Sequence, residues 1–468
     1  MPLRVYNTIT RQKEDFVPLR GRRVTMFVCG LTPYDHSHLG HAKTYVAFDV
    51  VARYLRHKGY SVFYVQNVTD IDDHIVDAMK ERSLPWQDVI RPYWEEYVRA
   101  MEQLNVTSVN LFARATDYAP EIVEQVQGLI AKGHAYAVGG DVYYAVDSFD
   151  GWGKLSGQKT EELLPGARVE VDARKRNPAD FALWKSRKPG EPAWDSPWGK
   201  GRPGWHIEDT AITISHFGSR YDIHGGATEL MFPHHEAEIA QAEAFTGERP
   251  FVKYWMHTGL LNVKGEKMSK SLGNFWSMRD ALAQYDGEVL RFFLVYAHYR
   301  SPIDYSREAL EEAKAAYGRL TETIRNLEAQ MRSAPTEGTG DGPLRTAANV
   351  ALEAFEAAMD DDFNTREALA AVFDFANAVN RALGHAGKGA LAEGAAAFET
   401  FGQIIGLWRQ RQAGPEGLAE SLVGALVELR EDARSRKDFA LSDRIRDLLA
   451  VRGILLEDTK TGVRWKVP

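Results

Sequence analysis

Two histidines flank a glycine in Pro33, Tyr34, Asp35, His36, Ser37, His38, Leu39, Gly40 and His41, between an apolar run and the start of a helical pattern. A glycine there lets a nucleotide approach the backbone, a helix amino end favours phosphate, and imidazoles three residues apart can face one ligand. His38, Gly40 and His41 are therefore candidate ATP contacts, although a histidine-rich helix cap accounts for the segment taken alone. Far downstream, Lys267, Met268, Ser269, Lys270 and Ser271 set two lysines beside hydroxyls. Lysines so placed can neutralise the charge that builds on departing pyrophosphate, the electrostatic work nucleotidyl chemistry requires. A third group lies in Phe232, Pro233, His234, His235, Glu236, Ala237 and Glu238. Proline suits a first helical turn, and His234 and Glu238, four apart, share a helix face. With Cys29 they offer the sulfur, nitrogen and oxygen donors zinc takes, whereas a surface ion pair is the ordinary alternative for the histidine and glutamate.

These groups need elements to hold them. Residues 24–29 read as a strand, and Tyr45, Phe48, Val51, Tyr54 and Leu55 recur at helical spacing. Gly59 closes that helix, and residues 61–66 read as a second strand. Strand, helix, strand implies a parallel unit, with ligands where strand carboxyl ends meet helix amino ends, just after Cys29 and just after Gln66. Residues 115–204 change to glycine-rich turns and alternating strands, as an insertion would, and the β/α pattern resumes over 205–305. From Ser306, a plausible N-cap, Leu310, Tyr317, Leu320, Ile324 and Leu327 form an apolar stripe. Residues 332–342 read as a linker, a second amphipathic helix follows Asn364, and residues 413–417 mark a break before a compact last module. The expected division is thus 1–114 and 205–305 for a Rossmann-type α/β catalytic domain, 115–204 inserted, 306–412 a helical bundle, and 413–468 a terminal module.

At 468 residues, 44% hydrophobic and 26% charged, the chain suits about three domains of about 150 residues. No window holds the roughly 18 consecutive apolar residues of a membrane span, and the start Met1, Pro2, Leu3, Arg4, Val5 has no secretory pattern, so a cytoplasmic place is expected. The single cysteine, Cys29, excludes an intramolecular disulfide. The net charge of −8 does not suit a protein coated in nucleic acid, yet residues 401–468 alone carry +2, which permits a local phosphate-binding face. Arg434, Arg436, Lys437, Arg444, Arg446, Arg464, Trp465 and Lys466 there suit a single-stranded loop, or a solvated helix face with a core tryptophan.

HxGH after the first strand and KMSKS late in the sheet resemble, in their order, the signatures of class I aminoacyl-tRNA synthetases. Gly201 to Glu208, Asp222 to Gly226 and Phe232 to Glu238 resemble cysteinyl-tRNA synthetases, a likeness that runs on through Asn67 to Asp73 and the ending Gly453 to Trp465. The resemblance implies an inserted acceptor-end domain, an anticodon-reading module, and L-cysteine, ATP with Mg2+ and tRNA(Cys) as substrates of a monomer. It implies one catalytic Zn2+ per chain, held by two cysteines, a histidine and a glutamate. Cys29, His234 and Glu238 match three of these, and the second cysteine falls at Asp209, whose carboxylate keeps the ligand's charge. The resemblance also puts Thr69, Trp205, Glu229 (often aspartate in the family) and His234 against the amino acid substrate, and makes His38, His41, Lys267 and Lys270 the catalytic set. Asp70, Asp72 and Asp73 resemble a magnesium cluster, though an acidic helix start explains them equally. The competing expectations are a tRNA-independent cysteine ligase, against which the terminal module speaks, and a noncatalytic RNA-binding paralogue, which has no need of the HxGH and KMSKS groups.

Overall fold

The structure, a computed structural model, describes residues 2–158, 173–263, 266–267, 276–408, 415–459 and 462–466. Met26, Phe27 and Val28 are all buried, as a central strand covered on both faces requires. Their strand, Arg23–Leu31, lies third in a five-stranded parallel sheet ordered Val252–Thr258, Tyr221–Ala227, Arg23–Leu31, Ser61–Val68, Leu111–Arg114. Numbered along the chain this order is 5-4-1-2-3, the expected Rossmann-type winding. The direction of winding reverses between Arg23–Leu31 and Tyr221–Ala227, where a crevice opens beyond the strand carboxyl ends.

The helix Leu39–His57 buries Tyr45, Phe48, Val51, Tyr54 and Leu55, the stripe read from the sequence, and the chain turns out of it through Gly59 at φ +80°. The strands Ala135–Val138, Asp141–Tyr144, Phe181–Ser186 and Gly201–Pro203 pair antiparallel in a separate sheet within the insertion. Trp184 is fully buried in a core cluster that Trp194 and Trp198 flank, so these three anchor the fold.

Four helices follow: Arg307–Ser333, Asp341–Asp360, Thr365–Ala382 and Lys388–Ile405. Ser306 Oγ accepts from the Ala309 amide at 3.1 Å and Asn364 Oδ1 from the Glu367 amide at 3.2 Å, both N-caps. The linker expected over 332–342 is shorter, because one helix runs through Ser333 and the next starts at Asp341. The helices Asp341–Asp360 and Lys388–Ile405 were not singled out in the sequence reading, because small residues interrupt their buried faces (Ala348 and Ala351; Ala390, Gly394, Ala397 and Gly402) and weaken the apolar stripe.

The chain divides into two compact units, Met1–Trp408 and Arg409–Pro468. Inside the first, the fully buried Arg291 donates to Asp49 Oδ2 of the helix Leu39–His57 (2.6 Å) and to the carbonyls of Leu104, Asn105 and Ile405, joining the sheet layer to the bundle. The second unit packs the helices Pro415–Ser435 and Phe439–Ala450 around Val423, Ile445 and Leu449, beside a hairpin of Leu455–Thr459 and Gly462–Lys466. Pro415 opens a helix, so residues 415–417 of the break expected at 413–417 are helical, and 413–414 lie outside the described residues. Trp465 packs against this small core, which favours its structural reading over base stacking. Among the described residues no helix is long and apolar enough to cross a membrane.

Candidate active site and metal centre

Cys29 sits near the carboxyl end of Arg23–Leu31, Asp209 in the first turn of the helix Ile207–Phe217, His234 in the turn Met231–His235, and Glu238 in the helix Glu236–Thr246. The reversal of winding brings these four elements to one point. Cys29 Sγ lies 3.4 Å from Asp209 Oδ2 and 4.0 Å from Glu238 Oε1, and His234 Nε2 lies 3.0 Å from Asp209 Oδ2 and 3.3 Å from Glu238 Oε1. Tetrahedral zinc with bonds of about 2.0–2.3 Å separates its ligand atoms by about 3.3–3.8 Å, so these spacings, from 3.0 to 4.0 Å, need shifts of only a few tenths of an ångström to take such an ion. His234 Nδ1 meets His206 Nδ1 at 2.8 Å, the outer hydrogen bond that fixes a ligating imidazole.

The charge balance also asks for a cation. Burial, followed by the charges of Asp209 and Glu238, pushes the Cys29 thiol well up, and burial followed by neighbouring carboxylates does the same to Glu208 and Glu238. Asp209 Oδ1 and Glu238 Oε2 are buried and accept no hydrogen bond. A dication held by Cys29, Asp209, His234 and Glu238 would oppose the shifts of Cys29 and Glu238 by stabilising the thiolate and the carboxylates that bind it.

A cavity of about 440 Å³ reaches this point. Cys29, Asp209 and His234 line it, and so do His38, His41, Thr69, Trp205 and Glu229. His38 caps the helix Leu39–His57 reciprocally with His41: each backbone amide donates to the other's Nδ1 at 3.3 Å, and the rings stack 3.8 Å apart. A Cβ on Gly40 would lie 2.8 Å from His38 Nδ1, so the glycine makes room for this stacked pair; Gly40 itself is not on the cavity wall. Trp205, 46% exposed, stacks on His234 at 4.5 Å, and Thr69 Oγ1 donates to Glu208 Oε1 at 3.1 Å.

Lys267 ends the two-residue strand Glu266–Lys267; Lys270, with Met268, Ser269 and Ser271, lies outside the described residues. The chain that follows returns to the HxGH turn, where Leu39 N donates to Trp276 O (3.3 Å) and Met278 N to Ser37 O (2.8 Å). Asp70 accepts from the Thr116 amide and hydroxyl, Asp72 caps the helix Asp73–Arg82, and Asp73 pairs with Lys185 and Arg202, partners that account for all three without magnesium. In the second unit Arg434 and Arg446 reach carboxylates of their own helices, and Arg436, in the turn just after Pro415–Ser435, reaches Asp432 within it, as a solvated face does.

Residues 15–315 match the family described as tRNA synthetases class I (C) catalytic domain, and residues 354–409 match the DALR domain. Curated relatives named cysteine–tRNA ligase include one from Geobacter sulfurreducens, 46% identical over all of both chains, and one from Thermococcus onnurineus, 47% identical over all of this chain and 99% of the relative. The chain belongs to the cysteine–tRNA ligase family. It is an aminoacyl-tRNA ligase with a class I catalytic domain. The fold agrees with solved synthetases of other specificity: a methionyl-tRNA synthetase of Mycobacterium tuberculosis (TM-score 0.57, 17% identity, 82% of this chain and 90% of the other) and a LeuRS of Agrobacterium radiobacter (TM-score 0.58, 12% identity, 84% of each).

This member of the cysteine–tRNA ligase family holds more imidazole at the cluster than the sequence reading assigned. His224 Nε2 and His235 Nε2 lie 3.4 and 3.2 Å from Cys29 Sγ. His235 Nδ1 contacts His257 Nε2 (2.8 Å), and His257 Nδ1 contacts Thr8 Oγ1 (2.8 Å). Burial lowers the pKa values of His224, His235 and His257, the last to about 3, which keeps the rings neutral. A Cβ on Gly226 would lie 2.8 Å from the His235 ring, so that strand glycine leaves the ring its place.

Proposed function

We propose that the chain activates L-cysteine with ATP as its magnesium complex and transfers the cysteinyl group to the 3′ end of tRNA(Cys), as a cytoplasmic monomer. The observation that carries this reading is one cavity lined both by Cys29, Asp209 and His234 and by the stacked pair His38 and His41. The donors Cys29, Asp209, His234 and Glu238 fit zinc in spacing, charge and chemistry. Bound there, zinc would take the substrate thiol as a thiolate, a bond a serine hydroxyl does not make at neutral pH.

The remaining work falls to the chain's own groups. Glu229 receives the substrate ammonium, and Thr69, whose hydroxyl hydrogen already goes to Glu208 and whose oxygen accepts from Asn67 Nδ2, has one lone pair left to accept from it. Trp205 closes one wall over His234. The substrate carboxylate, so held, attacks the α-phosphate of ATP; its oxygen bonds to phosphorus as the bond to pyrophosphate breaks. No protein nucleophile is needed, and orientation supplies much of the rate. His38 and His41 contact the triphosphate at the helix amino end, while Lys270, helped by Lys267, neutralises the leaving pyrophosphate. The adenylate then passes its acyl group to the terminal ribose of tRNA, releasing AMP.

ATP–pyrophosphate exchange with cysteine and serine side by side, before and after zinc removal, tests the proposal. Zinc-dependent exchange with cysteine alone is expected. Folded, zinc-supplied protein that gives no cysteine-dependent exchange would overturn it in favour of a noncatalytic RNA-binding role.

A further inference from the structure

Acyl transfer to tRNA sets a demand that the groups assigned to cysteine and ATP do not meet. The terminal ribose hydroxyl has to reach the adenylate inside the cavity, and the phosphodiester before that ribose, only a few bonds away, comes with it. An anion there needs cations on the wall. Among the described residues the wall carries two lysine or arginine side chains, Lys185 and Arg202.

Both come from the insertion, and its sheet sets them as a pair. Lys185 on the strand Phe181–Ser186 is the direct antiparallel partner of Arg202 on Gly201–Pro203, so the two side chains leave the same face. Like charges set opposite one another destabilise a sheet unless an anion lies between them. Asp73, at the start of the helix Asp73–Arg82, is that anion: its Oδ2 accepts from Lys185 Nζ and its Oδ1 from Arg202 Nη2. Each oxygen takes one cation, as the two non-bridging oxygens of a phosphodiester would.

The members of this group differ in how firmly they are held. Arg202 is buried, with Glu191 Oε2 3.8 Å behind its Nε, and Glu191 is held in turn by Lys80 at 3.1 Å. Arg202 Nε itself makes no hydrogen bond. The Asp73 side chain is 58% exposed, so turning it into water exchanges its two contacts for solvent at little cost. Asp72, also on this wall, is committed to its own helix, where it accepts from the Ile75 amide at 2.8 Å. Next to Asp73, His74 is exposed and stacks on Tyr34 with ring centroids 4.9 Å apart, and both line the cavity, a platform on which a base can stack.

Resting on the tRNA transfer read above, we propose that Lys185 and Arg202 receive the phosphodiester that precedes the terminal ribose of tRNA, and that Asp73 holds their place until it arrives. While it does so, Asp73 keeps the two cations from drawing the triphosphate of ATP away from the stacked histidines.

Single-turnover transfer from preformed cysteinyl-adenylate to tRNA(Cys), on the full zinc-supplied chain at limiting tRNA and over a range of salt, tests the proposal. Lys185→Gln should slow transfer about tenfold, the worth of one charge-assisted hydrogen bond, and Lys185→Arg should recover most of it. The log–log salt dependence of Lys185→Gln should be shallower by about 0.7, the share of one phosphate on a single strand. Asp73→Asn should act in the opposite direction and speed transfer severalfold, because no internal anion competes. A merely structural ion pair would not give opposite signs, since breaking it from either side loosens the insertion alike. Asp73→Asn that slows transfer or leaves it unchanged would overturn the proposal, as would Lys185→Gln with an unaltered rate and salt dependence. A raised KM for ATP in pyrophosphate exchange by Lys185→Gln, with transfer as in the unaltered chain, would assign the cations to ATP and overturn it too. If the unaltered chain forms the adenylate and passes nothing to tRNA(Cys), the transfer reading itself falls, and this proposal with it.

Discussion

At position 209 a carboxylate stands where the family resemblance expects a thiolate, and the surroundings bear on what it does. Asp209 is fully buried, 3.4 Å from Cys29 Sγ and 3.0 Å from His234 Nε2, with one oxygen that accepts no hydrogen bond. A buried carboxylate with that unmet capacity suits a cation and little else. Asp209→Asn keeps the size and removes the charge, so zinc affinity measured by chelator competition should fall at least tenfold, since even outer-shell changes cost about 10–100-fold. Asp209→Cys should bring the affinity back, and an unchanged affinity in the Asn variant would remove Asp209 from the ligand set. His234 and Glu238 were legible in the sequence as a candidate pair because their four-residue spacing after Pro233 is a local signal, and Cys29 joined them as the single cysteine at the end of the first strand, with the ligand set itself coming from the resemblance. His224 and His257 were not legible, because they sit in strands buried on both faces, where no alternation tells which side chains point to the same place.

The HxGH helix and the chain just before the strand Leu261–Val263 are tied together by a buried lysine. Lys43, one turn after the histidines, is 2% exposed, and its Nζ donates to the carbonyls of Gly259 (2.5 Å) and Ser301 (2.6 Å). Gly259 directly precedes Leu260 and the strand Leu261–Val263, which leads to the KMSKS residues. Burial lowers the Lys43 pKa to about 7 from its ordinary 10.5. Between those values the unfolded chain keeps a proton that the folded chain has lost, so stability rises with pH there, and the contribution is lost as pH falls through about 7. Denaturant titrations of the native chain and Lys43→Met from pH 7 to 10 should diverge in favour of the native chain, by up to about 1.4 kcal/mol per pH unit. Parallel curves would mean that the amine keeps its proton. The sequence conveyed the helix after Gly40 through its apolar spacing, but not the short strand Leu261–Val263. It could not convey the tie, because a lysine inside an amphipathic helix reads as solvent-facing, and only the approach of two distant carbonyls gives it a buried role.

Over the whole molecule, the catalytic sheet, the insertion and the helical bundle form one compact unit, and residues 409–468 form another. Every group assigned to cysteine and ATP lies in the first, which also keeps its internal fastening: Arg291 joins Asp49 to the carbonyl of Ile405. The second unit has a small core of its own, built on Val423, Ile445 and Leu449. Removing residues 409–468 should therefore leave cysteine-dependent pyrophosphate exchange within about twofold of the full chain, because no donor to the metal or the nucleotide is lost. Charging of tRNA(Cys) should fall at least tenfold in kcat/KM, mostly through KM, if the second unit supplies contacts to the RNA away from its reacting end. Its RNA contacts would then come from groups other than Trp465, which is spent on packing, and their phosphate share would appear as a shallower salt dependence of KM in the shortened chain. Loss of exchange and charging in equal measure would instead make the second unit a support for the fold of the first.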